Sequence, residues 1–180
     1  MLHIPELTTP RLRLRAFAPR DVDAYAAMMA DAEVTRYLGD GRTLTREDAW
    51  RQLALFAGHW VLRGFGLWAV EELATGTFVG RIGCFEPEGW PGLELAYTLA
   101  RHAWGRGYAR EGARAALAYA RERLGRADVI SLIRPANVAS IRVAEALGAV
   151  RDGEMEFFGA PALIYRYQRP GAGPAVPEAP

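Results

Sequence analysis

Lysine is absent: all 22 basic residues of the 180-residue chain are arginine. Self-acetylation of a lysine side chain is thereby excluded, and no P-loop of the G-x-x-x-x-G-K-[ST] type exists. Cysteine occurs once, at Cys84, so no intrachain disulfide can form. The three histidines, His3, His59 and His102, are too scattered for metal-ligand spacing, and no metal is expected. Long runs of one charge are missing too. With 22 basic against 21 acidic residues the net charge is +1, and nothing marks nucleic acid as a partner. Nowhere do about 18 apolar residues follow one another, and the first residues lack an apolar signal core. These absences predict a cytoplasmic protein without a membrane or nucleic-acid partner. A chain of this length, 51% hydrophobic, can bury roughly 70% of its unfolded surface as one domain.

The most informative stretch is residues 93–110, LELAYTLARHAWGRGYAR. A strand pattern runs into a glycine-spaced turn, and an alanine-rich helix pattern follows. Gly105 and Gly107 bracket Arg106, so backbone amides can approach a ligand closely where a helix begins. Those first amides have no partner within the helix, and the helix dipole adds about half an elementary positive charge, which suits a pyrophosphate. A plain strand-to-helix connection is the alternative. The full G-x-G-x-x-G is not met, because Arg110 stands at the third glycine position, so a Rossmann dehydrogenase is a poor reading.

Periodicity orders the rest. Leu12, Leu14 and Ala16 alternate with arginines as in a half-buried strand, and Asp21 opens a helix over 21–30. Residues 44–63 follow as an amphipathic helix with Trp50, Leu53, Ala54, Ala57 and Val61 at helical spacing. Strands are expected at 65–73 and 77–85, joined as a hairpin through Ala74-Thr75-Gly76. The fourth strand is 93–100 and its helix 107–124, ended by Gly125. A fifth strand, 129–134, stops at Pro135. Asn137 caps a short helix running to Leu147 and Gly148. A closing hairpin, 149–158 and 162–168, completes a single domain over residues 1–170, and the Pro/Gly/Ala-rich tail 171–180 is expected to be disordered. The fold class is mixed α/β, with a mostly antiparallel sheet of about seven strands and helices on both faces.

Three motifs occur in order: Tyr97-Thr98-Leu99; Trp104-Gly105-Arg106-Gly107-Tyr108-Ala109-Arg110-Glu111; and Asn137-Val138-Ala139-Ser140-Ile141-Arg142 leading to Leu147-Gly148. Before them stand Thr9-Pro10-Arg11-Leu12-Arg13-Leu14-Arg15 and Asp21. Together they resemble the GNAT superfamily of acyl-CoA N-acyltransferases, and within it the branch of ribosomal-protein N-terminal acetyltransferases, the RimJ/RimL type. The resemblance implies acetyl-CoA as co-substrate and a sheet splayed between the fourth and fifth strands. The pantetheine arm would lie along the edge at Tyr97, Thr98 and Leu99, with the pyrophosphate on the amides of Gly105, Arg106, Gly107, Tyr108, Ala109 and Arg110. Trp104 stands where the wider superfamily has Gln or Arg; the branch tolerates tryptophan there, and core packing is its expected role.

By the same resemblance Asn137 would bond the pantetheine arm, although capping alone also explains it. Ser140 would protonate the departing thiolate, or its hydroxyl bonds the helix backbone. Many superfamily members use a tyrosine at the place of Ala144, so no tyrosine acts from there. The attacking amine must be neutral, which calls for a proton acceptor. The candidates are Glu94, which could equally be a surface residue of an alternating strand, and Asp152, which precedes Gly153 as an acidic residue does in RimL-like proteins. Glu111 reads as structural. Tyr25, Tyr37, Trp68, Phe85 and Trp90 are candidates for the acceptor pocket. The expected function is direct transfer of acetyl to a primary amine, on a protein N-terminus or a small molecule. The alternatives are a non-catalytic acyl-CoA sensor and an enzyme using another acyl chain, such as succinyl. The sequence leaves the oligomeric state open, a homodimer included.

Overall fold

The computed structural model describes residues 4–167. In chain order these form β1 (Leu7–Thr8), β2 (Leu12–Arg15), α1 (Val22–Met29), α2 (Ala32–Thr35), α3 (Arg46–Arg63), β3 (Leu67–Glu72), β4 (Phe78–Phe85), β5 (Glu94–Leu99), α4 (Tyr108–Glu122), β6 (Ile130–Ile133), α5 (Val138–Ala146), β7 (Ala149–Phe157) and β8 (Ala160–Tyr167). The strands make one sheet in the order β1-β2-β3-β4-β5-β6-β8-β7, antiparallel except where β5 meets β6. It holds eight strands rather than the seven expected. The extra one, β1, is too short to show a period and exists through its pairing with β2. The expected fourth and fifth strands are therefore β5 and β6. The expected tail and the last residue of the closing hairpin lie outside the described residues. Among the described residues no helix is long and apolar enough to cross a membrane.

Local chemistry sets the helix ends. Thr45 caps α3 by accepting from the Asp48 amide at 3.1 Å, and Gly64, at φ +76°, ends it in the left-handed conformation. The buried stripe of α3 is not the one expected. Ala49, Leu53, Phe56 and Trp60 face the core, whereas Trp50 is 56% and Val61 66% exposed. Apolar residues surround this helix, and the face carrying Phe56 and Trp60 has the most area to bury. Arg15 also departs from simple alternation. It is 5% exposed, and its guanidinium meets both Asp21 carboxylate oxygens, at 2.7 and 2.8 Å, and Glu71 at 2.9 Å.

Helices cover both faces. Tyr25 and Phe56 pack with Phe78 and Phe85 on one, and Tyr108, Ala113, Ala116 and Leu117 of α4 pack with Ile82 and Leu95 on the other. Gly112 lets α4 approach the sheet: a Cβ there would lie 2.5 Å from the Ile82 Cδ1.

His59 ties α3 to the sheet. Nδ1 donates to the Phe65 carbonyl at 2.7 Å, and Nε2 accepts from the Glu86 amide at 3.1 Å. Burial pushes this imidazole below its ordinary value, so the folded ring stays neutral where the unfolded one, titrating near 6.5, takes up a proton. The unfolded state then binds more protons, and stability falls as pH drops below about 6.5 toward the lowered folded value. Urea unfolding at pH 7.5 and 5.5 should show this loss, and His59→Gln should shrink it. An equal loss in the variant would locate the pH sensitivity elsewhere.

Candidate active site

The parallel pair β5–β6 is joined at one position, Glu94 opposite Ile130. The Ser131 hydroxyl then bridges to the Leu95 carbonyl at 2.6 Å. Past that point the β6-facing edge of β5 has no ladder partner among the described residues, and the strands part. Two cavities, of about 440 and 420 Å³, open on the gap. Tyr97, Thr98, Asn137 and Ser140 border both, together with Tyr37 and Leu38 from the segment after α2.

The smaller cavity ends on the start of α4. Gly105 and Gly107 adopt φ of +72° and +78°, a conformation that costs other residues about 1–2 kcal/mol. They turn the chain so that Gly105, Gly107, Tyr108, Ala109 and Arg110 line the cavity. The Tyr108, Ala109 and Arg110 amides lie in the first turn, where the helix supplies no acceptor. The Arg106 side chain leaves the cavity, pairing with Glu72 and lying 4.6 Å over the Tyr108 ring, so that only its backbone belongs to the loop. A brace from the N-terminal segment fixes this turn. Glu111 accepts from the Thr9 hydroxyl at 2.6 Å and from the Arg11 amide at 2.9 Å, and pairs with the Arg11 guanidinium. Arg11 in turn donates to the Arg106 carbonyl at 2.8 Å. Trp104 is 45% exposed and not a core residue. It borders the cavity, and its indole N–H donates to the Leu99 carbonyl at 2.8 Å.

At the gap, Asn137 caps α5 by accepting from the Ser140 amide at 3.2 Å. That engages its oxygen, and the residue borders both cavities. The Ser140 hydroxyl donates to no group among the described residues, so it does not bond back to its own helix. Tyr97 donates from its phenol to the Ser140 carbonyl at 3.0 Å, which anchors α5 on β5. Burial, then Tyr167 and Glu94, push that phenol well above its ordinary value and keep it a donor. Ala144 is fully buried.

The larger cavity lies on the α1/α3 face. Glu94 lines it and accepts from the Trp90 indole at 2.7 Å. Burial raises its carboxyl above the ordinary value, against the Trp90 hydrogen bond, the Arg81 charge and the Leu132 backbone. Asp152 lies elsewhere. It sits in the β-bulge between Arg151 and Gly153 on the outer strand β7, exposed and paired with Arg166 at 2.5 Å, and it lines neither cavity. Of the aromatic candidates, Tyr37, Phe85 and Trp90 border the cavity, while Tyr25 and Trp68 are core. Phe157, Phe158 and Arg81 line it without having been singled out by the sequence. Phe158 and Gly159, at φ +50° and +69°, form the tight turn of the last hairpin, a turn in which Asn-Gly is the usual pair. The turn brings both phenylalanine rings against Trp90, at 5.0 and 5.9 Å between ring centres.

The GNAT acetyltransferase domain family matches residues 11–150. A solved acetyltransferase from Agrobacterium tumefaciens superposes with a TM-score of 0.83 at 32% identity, over 94% of this chain and 97% of its own. The Bacillus subtilis protein YkkB is 33% identical, over 89% of this chain and 94% of its own length. The FsC-acetyl coenzyme A-N(2)-transacetylase of Aspergillus fumigatus is 30% identical over 80% of this chain, which spans 64% of that protein. With the splayed β5–β6 pair and the glycine-flanked start of α4 at its centre, this chain belongs to the GNAT family and is an acetyltransferase.

Proposed function

We propose that the protein transfers acetyl from acetyl-CoA directly to a primary amine in a ternary complex, without a covalent enzyme intermediate. The observation that carries this reading is the meeting of two cavities at one gap. One ends in unpartnered helix-start amides, the other holds a carboxyl raised above its ordinary value. Acetyl-CoA fits the smaller cavity by the chemistry of its walls. The amides of residues 105–110 suit a pyrophosphate, and the open edge of β5 at Tyr97, Thr98 and Leu99 can pair with the amides of a pantetheine arm as an added strand would. The Asn137 NH2 supplies a further donor to that arm. Glu94 takes the amine's proton and releases it to solvent, and the Ser140 hydroxyl supplies a proton to the departing thiolate and regains one from solvent. Catalysis then rests on holding amine and thioester in line between these two groups. The name of the Aspergillus relative, an acetyl coenzyme A N(2)-transacetylase, supports nitrogen as the acceptor atom. We assign the chain to the RimJ/RimL branch on its motifs, whose Arg11, Arg15, Asp21 and Glu111 have defined partners in this fold.

Thiol release from acetyl-CoA, followed over a panel of amines and N-terminal peptides, tests the activity. No release with any acceptor would sink the reading. The cofactor loop has its own test. Gly107→Val forces a β-branched residue to φ +78° and sets a Cβ 3.4 Å from the Arg11 Nη2. Its affinity for acetyl-CoA should fall at least about tenfold, equal to about 1.4 kcal/mol, while Arg106→Ala should change it little. Equal affinities in folded Gly107→Val and wild type would remove the loop from the cofactor site.

A further inference from the structure

The larger cavity contains a buried cation without an ion pair among the described residues, although the Tyr25 phenol lies against it and its charge reaches Glu94. Arg81 is 9% exposed and lines the cavity. Its Nε has no hydrogen-bond partner, and it forms no ion pair among the described residues. The guanidinium carbon sits 5.1 Å over the Phe56 ring. The other charged groups on the cavity wall have hydrogen-bond partners. Arg42 pairs with Asp40, Arg134 donates to the carbonyls of Gly39, Ala160 and Pro161, and Glu94 accepts from Trp90. A buried charge without an ion pair is unfavourable, and a buried N–H without an acceptor adds to the cost. A ligand anion in the cavity would supply both the counter-charge and the acceptor that are missing. The β4–β5 register sets Arg81 opposite Thr98 and Phe85 opposite Glu94. Alternation along each strand therefore puts Arg81 and Glu94 on the same face of the sheet, four residues apart along it, roughly 13 Å of strand.

Resting on the proposed amine acetylation, we propose that the acceptor carries a carboxylate as well as its amine, and that Arg81 receives that carboxylate while the amine faces Glu94. The substrate class is then amino acids and short compounds that keep a free carboxylate beside or beyond the reacting amine. The planar guanidinium edge suits the two oxygens of a carboxylate. A neutral amine of the same size would leave Arg81 without an ion pair, and sites that lose a buried polar partner in this way discriminate strongly.

The test compares a series of amino acids with their carboxamides in wild type, Arg81→Met and Arg81→Lys, by thiol release from acetyl-CoA. In wild type kcat/KM should favour the acids by about 100-fold or more. Arg81→Met should bring the ratio to within about threefold, and Arg81→Lys should restore part of it. The thermal midpoint of unliganded Arg81→Met should match or exceed that of wild type, because a buried charge without an ion pair has been removed. A wild-type ratio near one, or a ratio that survives in folded Arg81→Met, would overturn the proposal. If no amine of either series is turned over, the activity reading is decided separately, on the wider panel of amines and N-terminal peptides. The anion site is then decided by calorimetric binding of N-acetylamino acids against their amides. Tighter binding of the acids that is lost in Arg81→Met upholds it, and equal binding overturns it.

Discussion

Replacing Glu94 with glutamine should lower kcat/KM for the amine by about 100- to 10,000-fold, the range for loss of a positioned proton acceptor, and should leave acetyl-CoA affinity within about twofold. The expectation rests on two facts. Glu94 is the carboxyl among the two candidates that lines the larger cavity, and burial raises it above its ordinary value. A base acts only when ionised, so the rate rises with pH through its pKa. Because that pKa is raised, the acid limb lies at higher pH than the ordinary glutamate value near 4.3. In Glu94→Gln this limb should vanish, and only the limb from the amine's own ionisation should remain. Glutamine still accepts from the Trp90 indole, so the aromatic wall stays in place. If Glu94 only orients the amine, KM rises and the pH profile keeps its shape; that outcome would return the proton to solvent. Asp152→Asn, remote from both cavities, should alter neither rate nor profile.

Most of the architecture was readable from turn chemistry and period. Gly64, Gly76 and Asn137 end or begin elements where the sequence places them, because positive φ and capping are local properties. The glycine-flanked turn before α4 was readable for the same reason. What escaped is non-local. The two residues of β1 are a strand through β2 alone, and the buried stripe of α3 was misread because apolar residues occur on all its sides. Asp152 looked suitable from its place before Gly153, yet a bulge on the outermost strand directs it to Arg166. Arg81 stands among apolar neighbours in FVGRIGCF, where alternation would send it to either face. Only the register with β5 shows that it shares a face with Glu94. The pairing of the N-terminal Thr9 and Arg11 with Glu111, across about a hundred residues, likewise joins two motifs that look independent in one dimension.

Ser140→Ala should lower kcat by about 100- to 10,000-fold, the range for general acid help, and leave acetyl-CoA affinity within about twofold, because the lost interaction is made chiefly in the transition state. The substitution isolates the hydroxyl from the helix around it. Asn137 caps α5 through the Ser140 main-chain amide, and Tyr97 holds the Ser140 main-chain carbonyl. Alanine keeps both bonds, and its helix propensity exceeds that of serine, so thermal stability should not fall. The residue one turn on cannot substitute for the lost donor, because Ala144 carries only a methyl group. Ser140→Thr retains the hydroxyl and should recover part of the rate. A proton donated to a thiolate matters most when the thiolate leaves poorly. The deficit of Ser140→Ala should therefore shrink with an acetyl thioester whose thiol is more acidic than that of CoA. A loss of only about twofold with CoA, or a deficit that ignores thiol acidity, would leave Ser140 as cavity lining and would mean that the thiolate departs unprotonated.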